Sequence, residues 1–187
     1  MMIGHFALGV ATKKMVPAMP IWILLLAPQF MDVFFVPFVF LGLESFEFGP
    51  YGHLSLNIQY SHSLVGALAI ALAAYWVGNR FWKSSRGGIV LASLSFSHWV
   101  LDVLMHRPDM VILPGNLGNL PVLGFGLWNY EITSLTTEVA MAVIAVILYF
   151  HWAWKEQKDT RWFVGPAIII LFFAVLITSE IQNFPTL

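Results

Sequence analysis

The chain has 187 residues, 59% hydrophobic and 10% charged, with nine basic and ten acidic side chains and a formal net charge of −1. A mean hydropathy of +0.79 excludes an ordinary soluble domain. The absence of cysteine excludes disulfides and thiolate ligands, so any metal has to sit on imidazole and carboxylate groups.

At roughly 20 apolar residues per membrane crossing, the length allows about five spans in one domain covering residues 1–187. Apolar runs predict them at 21–43, 64–82, 88–105, 132–154 and 163–178. The fold class read from this pattern is all-α, a polytopic membrane helical bundle. Lys13 and Lys14 precede the first run, Arg80, Lys83 and Arg86 fill the second connection, and Lys155, Lys158 and Arg161 fill the fourth. The first connection carries Glu44 and Glu47 without a base, and the third only Arg107. The positive-inside rule therefore puts the basic connections in the cytoplasm and connections one and three, with the carboxy terminus, outside. Basic residues scattered over one rim match a topology signal and leave no stripe for nucleic acid.

In chain order, residues 2–11 are apolar but too short to span, and Pro17 and Pro20 then reverse the chain. They predict a short re-entrant amino-terminal helix, with an amphipathic helix on the cytoplasmic surface as the alternative. Counted back from Lys14 at 1.5 Å per residue, His5 lies about 13 Å deep. In the first span Pro28 and Gln29 interrupt an apolar helix just before Asp32, about 18 Å above Pro20. A carboxylate at that depth needs a partner, whether an ion, Gln29 or a neighbouring serine. The first external connection is rich in aromatic and turn residues from Phe46 to His53 and is suited to capping the bundle. Its His53 reads as an interfacial side chain.

Tyr60-Ser61-His62-Ser63 opens the second span, with Ser61 as the expected N-cap and His62 in a first turn able to offer amides to an anion. His62 lies about 27 Å above Arg80. The third span brings His98 and Asp102, four residues apart and therefore on one helical face, about 18 and 24 Å above Arg86. His106 continues that stripe. A Gly/Pro/Asn-rich loop follows, suited to a lid over the outer end. Glu138 in the fourth span falls about 25 Å above Lys155. The fifth span has no internal charge and reads as structural.

His5, Asp32, His62, His98, Asp102 and Glu138 thus converge on one layer in the outer half of the membrane. Three imidazoles with two or three carboxylates suit a divalent metal, zinc first, with manganese or iron as the other choices. A carboxylate outside the ligand set can take the proton from water that the ion activates. Glu138, with Glu131 as the other candidate, has the right chemistry for that base, and Asp102 has it as ligand or catalytic carboxylate.

Gly4-His5-Phe6, residues 27–32, Tyr60-Ser61-His62-Ser63, residues 97–102, His106-Arg107-Pro108-Asp109 and Gly126-Leu127-Trp128-Asn129 resemble a group of uncharacterised bacterial integral membrane proteins. More distantly, they resemble the LexA-regulated inner-membrane metal-dependent hydrolase family. The resemblance runs through most of the chain and its motifs keep their order. It implies a metal-dependent hydrolase in a bacterial inner membrane and supports His5, Asp32, His62, His98 and Asp102 as ligands. Gln29 stands where that family commonly has an Asp, and Ser61 where Thr is usual, so the resemblance leaves one metal or two open. The expected substrate is an ester or phosphoester, a lipid or lipid-linked molecule given the depth of the site. An ion- or proton-coupled transporter, or a protein that metal merely stabilises, are the rival readings.

Overall fold

The computed structural model describes residues 1–47, 55–157 and 159–183. The aromatic connection from Phe48 to His53 and the basic residue Lys158 lie outside these. The helices are α1 (Met2–Ala11), α2 (Ile21–Leu26), α3 (Phe30–Phe40), α4 (Leu64–Trp82), α5 (Ser85–Met105), α6 (Glu131–Glu156) and α7 (Val164–Gln182). A 3-10 turn, Ala27–Gln29, joins α2 to α3 in one stretch, Ile21–Phe40. That stretch and α4 to α7 are five segments long and apolar enough to cross a membrane. Large apolar side chains on their outer faces, among them Leu72, Phe81, Ile147, Ile168 and Leu171, are at least 60% exposed, the surface of a helical bundle made for lipid.

Lipid is as apolar as leucine, so helices in it associate through close packing, and small residues mark where they meet. Helices α4 and α5 form a tight hairpin linked by Lys83, at a positive φ of 48°, and Ser84, whose Oγ accepts from the Gly87 amide at 3.2 Å. Gly78 lies against Gly88 here; a Cβ on either would meet backbone at 2.7–2.8 Å. The extra cap starts α5 three residues before the apolar run at Gly88.

Helix α1 runs through the middle of the bundle. Its Ile3, Ala7 and Val10 are buried against Ala142, Ala145 and Tyr149 of α6 and Ile169 and Phe173 of α7. Its other face meets α2 so closely that a Cβ on Gly9 would overlap the Leu24 carbonyl. Residues 12–20 reverse the chain between α1 and α2, and Lys13 holds this turn. Its Nζ donates to the Pro17 and Met19 carbonyls at 2.8 and 2.6 Å and sits 4.9 Å from the centre of the Trp152 ring. Lys13 is thus a buried brace, not a rim charge, and burial pulls its ammonium below the usual lysine range.

Two features differ from the expectation for the outer connections. A short antiparallel hairpin, β1 (Ser45–Glu47) and β2 (Ser55–Asn57), pairs Phe46 with Leu56. The cap of α4 is Ser63, not Ser61: its Oγ accepts from Gly66 N at 3.0 Å, and His62 stands before the helix. The expected anion site is closed, because the Leu64 and Val65 amides donate to the carbonyls of Val111 and Ile112 at 3.0 and 3.2 Å. The Gly/Pro/Asn-rich loop that supplies those carbonyls is folded back on the bundle. Met110 bridges to Leu123, Phe125 N bonds the Val103 carbonyl, and Gly126 N bonds the His106 carbonyl.

Candidate metal centre

The centre is built on α5. Its buried face repeats at helical spacing through Leu91, Leu94, His98, Asp102 and Met105, so the two polar residues point into the bundle with the leucines. At that spacing His98 Nε2 lies 3.0 Å from Asp102 Oδ2. The other residues are brought to this pair by three separate devices.

The first is the break in the Ile21–Phe40 segment. Pro28 has no amide to continue an α-helix, and the resulting 3-10 turn leaves its carbonyl turned towards α5, where it accepts from His98 Nδ1 at 2.6 Å. The same turn starts α3 so that Asp32, in its first turn, reaches both histidines. Asp32 Oδ1 is 3.4 Å from His62 Nε2 and 3.6 Å from His98 Nε2. Its side chain is about half exposed (51%), on the wall of a cavity.

The second device is α1, which carries His5 to the core. The His5 ring stacks on His98 with centroids 3.8 Å apart and planes within 6°. Its Nε2 lies 3.2 Å from Asp102 Oδ1. The start of α1 is held by Glu138, whose Oε2 accepts from the amides of Ile3 and Gly4 at 2.9 and 3.3 Å. This is the helix N-terminus satisfied by a carboxylate from α6.

The third is the turn before α4. Ser61 gives its hydroxyl hydrogen to Glu44 Oε2 at 2.8 Å, and its oxygen lies 2.7 Å from His62 Nδ1. With that hydrogen committed, Ser61 Oγ accepts from His62, so a neutral His62 carries its proton on Nδ1 and a bare lone pair on Nε2. The Pro28 carbonyl, an acceptor only, imposes the same tautomer on His98. The two Nε2 atoms face each other at 3.2 Å. Two lone pairs at that distance repel unless a positive charge, a proton or a metal ion, lies between them.

The spacing fits a metal. Ligand atoms at zinc distances of 2.0–2.1 Å in a tetrahedron stand about 3.3 Å apart. Asp32 Oδ1, His62 Nε2 and His98 Nε2 make a triangle with sides of 3.2, 3.4 and 3.6 Å. Asp102 Oδ2 is 3.0 Å from His98 Nε2 and 3.8 Å from His62 Nε2. Candidate ligand sets are therefore Asp32, His62 and His98, and His5, His98 and Asp102, joined through His98. This buried His/Asp cluster is able to hold a metal ion.

All five expected ligands are thus together, from α1, α3, the turn before α4, and α5. They line one cavity of about 650 Å³, and Glu138, buried, lines it too. Glu131, at the first position of α6, is not on that cavity wall. Apolar side chains of α1, α3 and the β-hairpin, including Phe6, Phe35, Phe46 and Leu56, make up much of the remaining wall.

Sequence reasoning gave no place in the centre to Glu44, which entered only as an acidic residue of an external connection, or to the Pro28 carbonyl as an acceptor from His98. It placed His106 on the α5 stripe without a role. His106 is buried on the same cavity, with Nδ1 3.1 Å from Asp109 Oδ1 and its ring 4.4 Å from that of Trp128. The adjacency of Ser61 to His62, a hydroxyl beside a ligand-type imidazole, was the one signal pointing to an outer shell. No family model matches the chain, and neither does any curated protein or solved structure.

Proposed function

We propose that this protein is a membrane-embedded metal-dependent hydrolase, with one divalent ion held among Asp32, His62, His98, Asp102 and His5. Zinc is the first choice, because imidazole and carboxylate ligands at tetrahedral spacing suit it; manganese and iron share the donor set. The observation that carries this reading is the pair of bare Nε2 atoms 3.2 Å apart, flanked by two carboxylates. A divalent ion in such a site supplies Lewis acidity and brings water to hydrolytic reactivity near neutral pH.

The chain's own residues divide the remaining work. Asp32, half exposed, borders the space a substrate has to enter. Asp102, buried, sets Oδ1 3.2 Å from His5 Nε2 and Oδ2 3.0 Å from the bare Nε2 of His98, so that a cation is needed between the second pair of atoms. Glu138 is the proposed proton acceptor, since it shares the cavity with the ligands. The mixed wall, charged at the ligand cluster and aromatic or aliphatic elsewhere, suits an ester or phosphoester with an apolar tail, a lipid or lipid-linked molecule drawn from the bilayer. The motif resemblance to the inner-membrane hydrolase family supports the same chemistry. It also supports a bacterial inner membrane, and the distribution of basic residues supports an orientation with the Lys13–Lys14 end of α1 in the cytoplasm and the carboxy terminus outside.

The deciding experiment is elemental mass spectrometry on detergent-purified wild type and His98→Ala, followed by hydrolysis assays with bis(4-nitrophenyl) phosphate and with phosphatidic acid in mixed micelles. About one transition-metal ion per chain, lost in the variant, with chelator-sensitive hydrolysis, is the expected result. No metal in either protein, even after reconstitution, overturns the proposal and leaves a proton between the histidines, as in a relay.

A further inference from the structure

Glu44 is buried, 2% exposed, directly after the turn that ends α3, and its carboxylate is fully engaged by the segment that leads into α4. Oε1 accepts from the amides of Tyr60 and Ser61 at 2.7 and 2.9 Å, and Oε2 accepts from the Ser61 hydroxyl at 2.8 Å. The hydroxyl in turn accepts from His62 Nδ1 at 2.7 Å. We propose that Glu44 is a positioning residue for the metal centre, acting through Ser61 to fix the ring and tautomer of His62 so that Nε2 is always the ligand atom. This role rests on the metal-centre reading given above.

The direction of each hydrogen bond follows from what the groups are able to donate. An ionised carboxylate only accepts, so the single hydroxyl hydrogen of Ser61 goes to Glu44, and Ser61 is left as an acceptor for His62. Outer-shell carboxylates commonly orient metal-bound imidazoles in this way. Here a hydroxyl stands between the two, so the polarity of the chain is open to reversal by one atom. In Glu44→Gln the carboxamide oxygen can keep both backbone amides while its NH2 group faces Ser61. The hydroxyl then accepts from Gln and donates to His62 Nδ1, which moves the imidazole proton to Nε2. That proton lies opposite the bare Nε2 of His98, 3.2 Å away, and satisfies it. The variant is therefore expected to fold, and to favour the metal-free state.

The test is competitive zinc titration of detergent-purified full-length wild type, Glu44→Gln, Ser61→Ala and Ser61→Thr. It is combined with ¹⁵N NMR of the histidine rings in the metal-free proteins, His62 being assigned from a His62→Gln sample. Glu44→Gln and Ser61→Ala should each lose about 10- to 100-fold in zinc affinity. Ser61→Thr, which keeps the hydroxyl, should stay within a few-fold of wild type. The His62 proton should move from Nδ1 to Nε2 in Glu44→Gln, and that protein should melt no lower than wild type when both lack metal. A purely structural Glu44 would instead lower the melting temperature and leave the tautomer unchanged. Wild-type zinc binding with unchanged affinity in both Glu44→Gln and Ser61→Ala overturns this role alone. A wild type that takes up no metal overturns the role together with the proposed function.

Discussion

His62 and His98 present their Nε2 atoms to each other across 3.2 Å, while each gives its Nδ1 hydrogen to an oxygen elsewhere, Ser61 Oγ and the Pro28 carbonyl. The arrangement is repulsive when nothing positive lies between the rings, so bound metal should stabilise the fold. At a free concentration one hundred times Kd, a ligand specific for the native state adds about 2.7 kcal/mol. Thermal unfolding in detergent should show that gain on adding zinc to chelator-treated wild type, and no gain in His98→Ala. Melting indifferent to metal in wild type would place a proton between the two rings.

The Pro28 carbonyl is available to His98 because the chain cannot form a regular helix through that residue. Pro28→Ala restores the missing amide and allows α2 and α3 to merge into continuous α-helix, in which carbonyl 28 is drawn towards the amide four residues on. His98 then loses the acceptor of its Nδ1 hydrogen, and zinc affinity should fall by about tenfold or more. Competitive titration measures it. Unchanged affinity would show that His98 is held by packing against His5 alone.

The spans were readable because a membrane helix announces itself by length and hydrophobicity alone; the observed boundaries 64–82 and 21–40 lie on or within the apolar runs. The clustering of His5, Asp32, His62, His98 and Asp102 was readable because rise per residue converts sequence distance to depth, and polar side chains within one layer of a thin bundle have few places to go. What composition could not carry is direction of bonding. Glu44 entered only as a topology signal because nothing local says that its connection turns inward to meet Ser61. Ser61 looked like the helix cap because the actual cap, Ser63, is the same residue type two positions on. Glu138 stood out as a base by depth alone, and only its contact with the Ile3 and Gly4 amides reveals that it also holds α1.

The two aspartates should not be equivalent. Asp102 is buried, 3% exposed, and its two oxygens approach three histidines, whereas the Asp32 side chain opens to the cavity. Asp102→Asn should abolish stoichiometric metal and melt as a protein less stable than metal-loaded wild type by about 3–5 kcal/mol, as expected when one partner of a buried charged set is removed. Asp32→Asn should retain metal at reduced affinity. Metal analysis and melting of both variants check the order, and the reverse order would make Asp32 the principal carboxylate ligand.

Glu138 holds the start of α1, and the proposed hydrolysis gives it a second, separable role as proton acceptor. Glu138→Gln keeps an oxygen that can accept from Ile3 and Gly4, so α1, the fold and the metal content should survive while hydrolysis of bis(4-nitrophenyl) phosphate drops by about 100-fold or more. Glu138→Ala removes the acceptor as well and should cost about 1 kcal/mol further in stability, the usual effect of losing a helix cap. Wild-type turnover in Glu138→Gln would remove this residue from proton transfer and leave it as the anchor of α1.

Gly9 tests whether the centre depends on the exact seat of α1. It is one turn from His5 along the same helix, and an added Cβ would overlap the Leu24 backbone. Neither side can yield by a rotamer change, because the obstacle is a carbonyl of α2. Gly9→Ala should therefore push α1 away from α2 at a cost of about 1–3 kcal/mol, the range for overpacking a close-packed site. The displacement acts on His5 first, since its ring is stacked on His98 and its Nε2 meets Asp102 Oδ1 at 3.2 Å. His62 is held from the α4 side by Ser61, and Asp32 lies eight residues beyond Leu24 on the same stretch, Ile21–Phe40, so both are further from the overlap than His5. The variant should lose metal affinity by the amount that His5→Ala loses, and the double variant should lose little more, because both changes remove the same interaction. Additive losses in that cycle would mean that α1 supports the other ligands as well, through the bundle core rather than through His5.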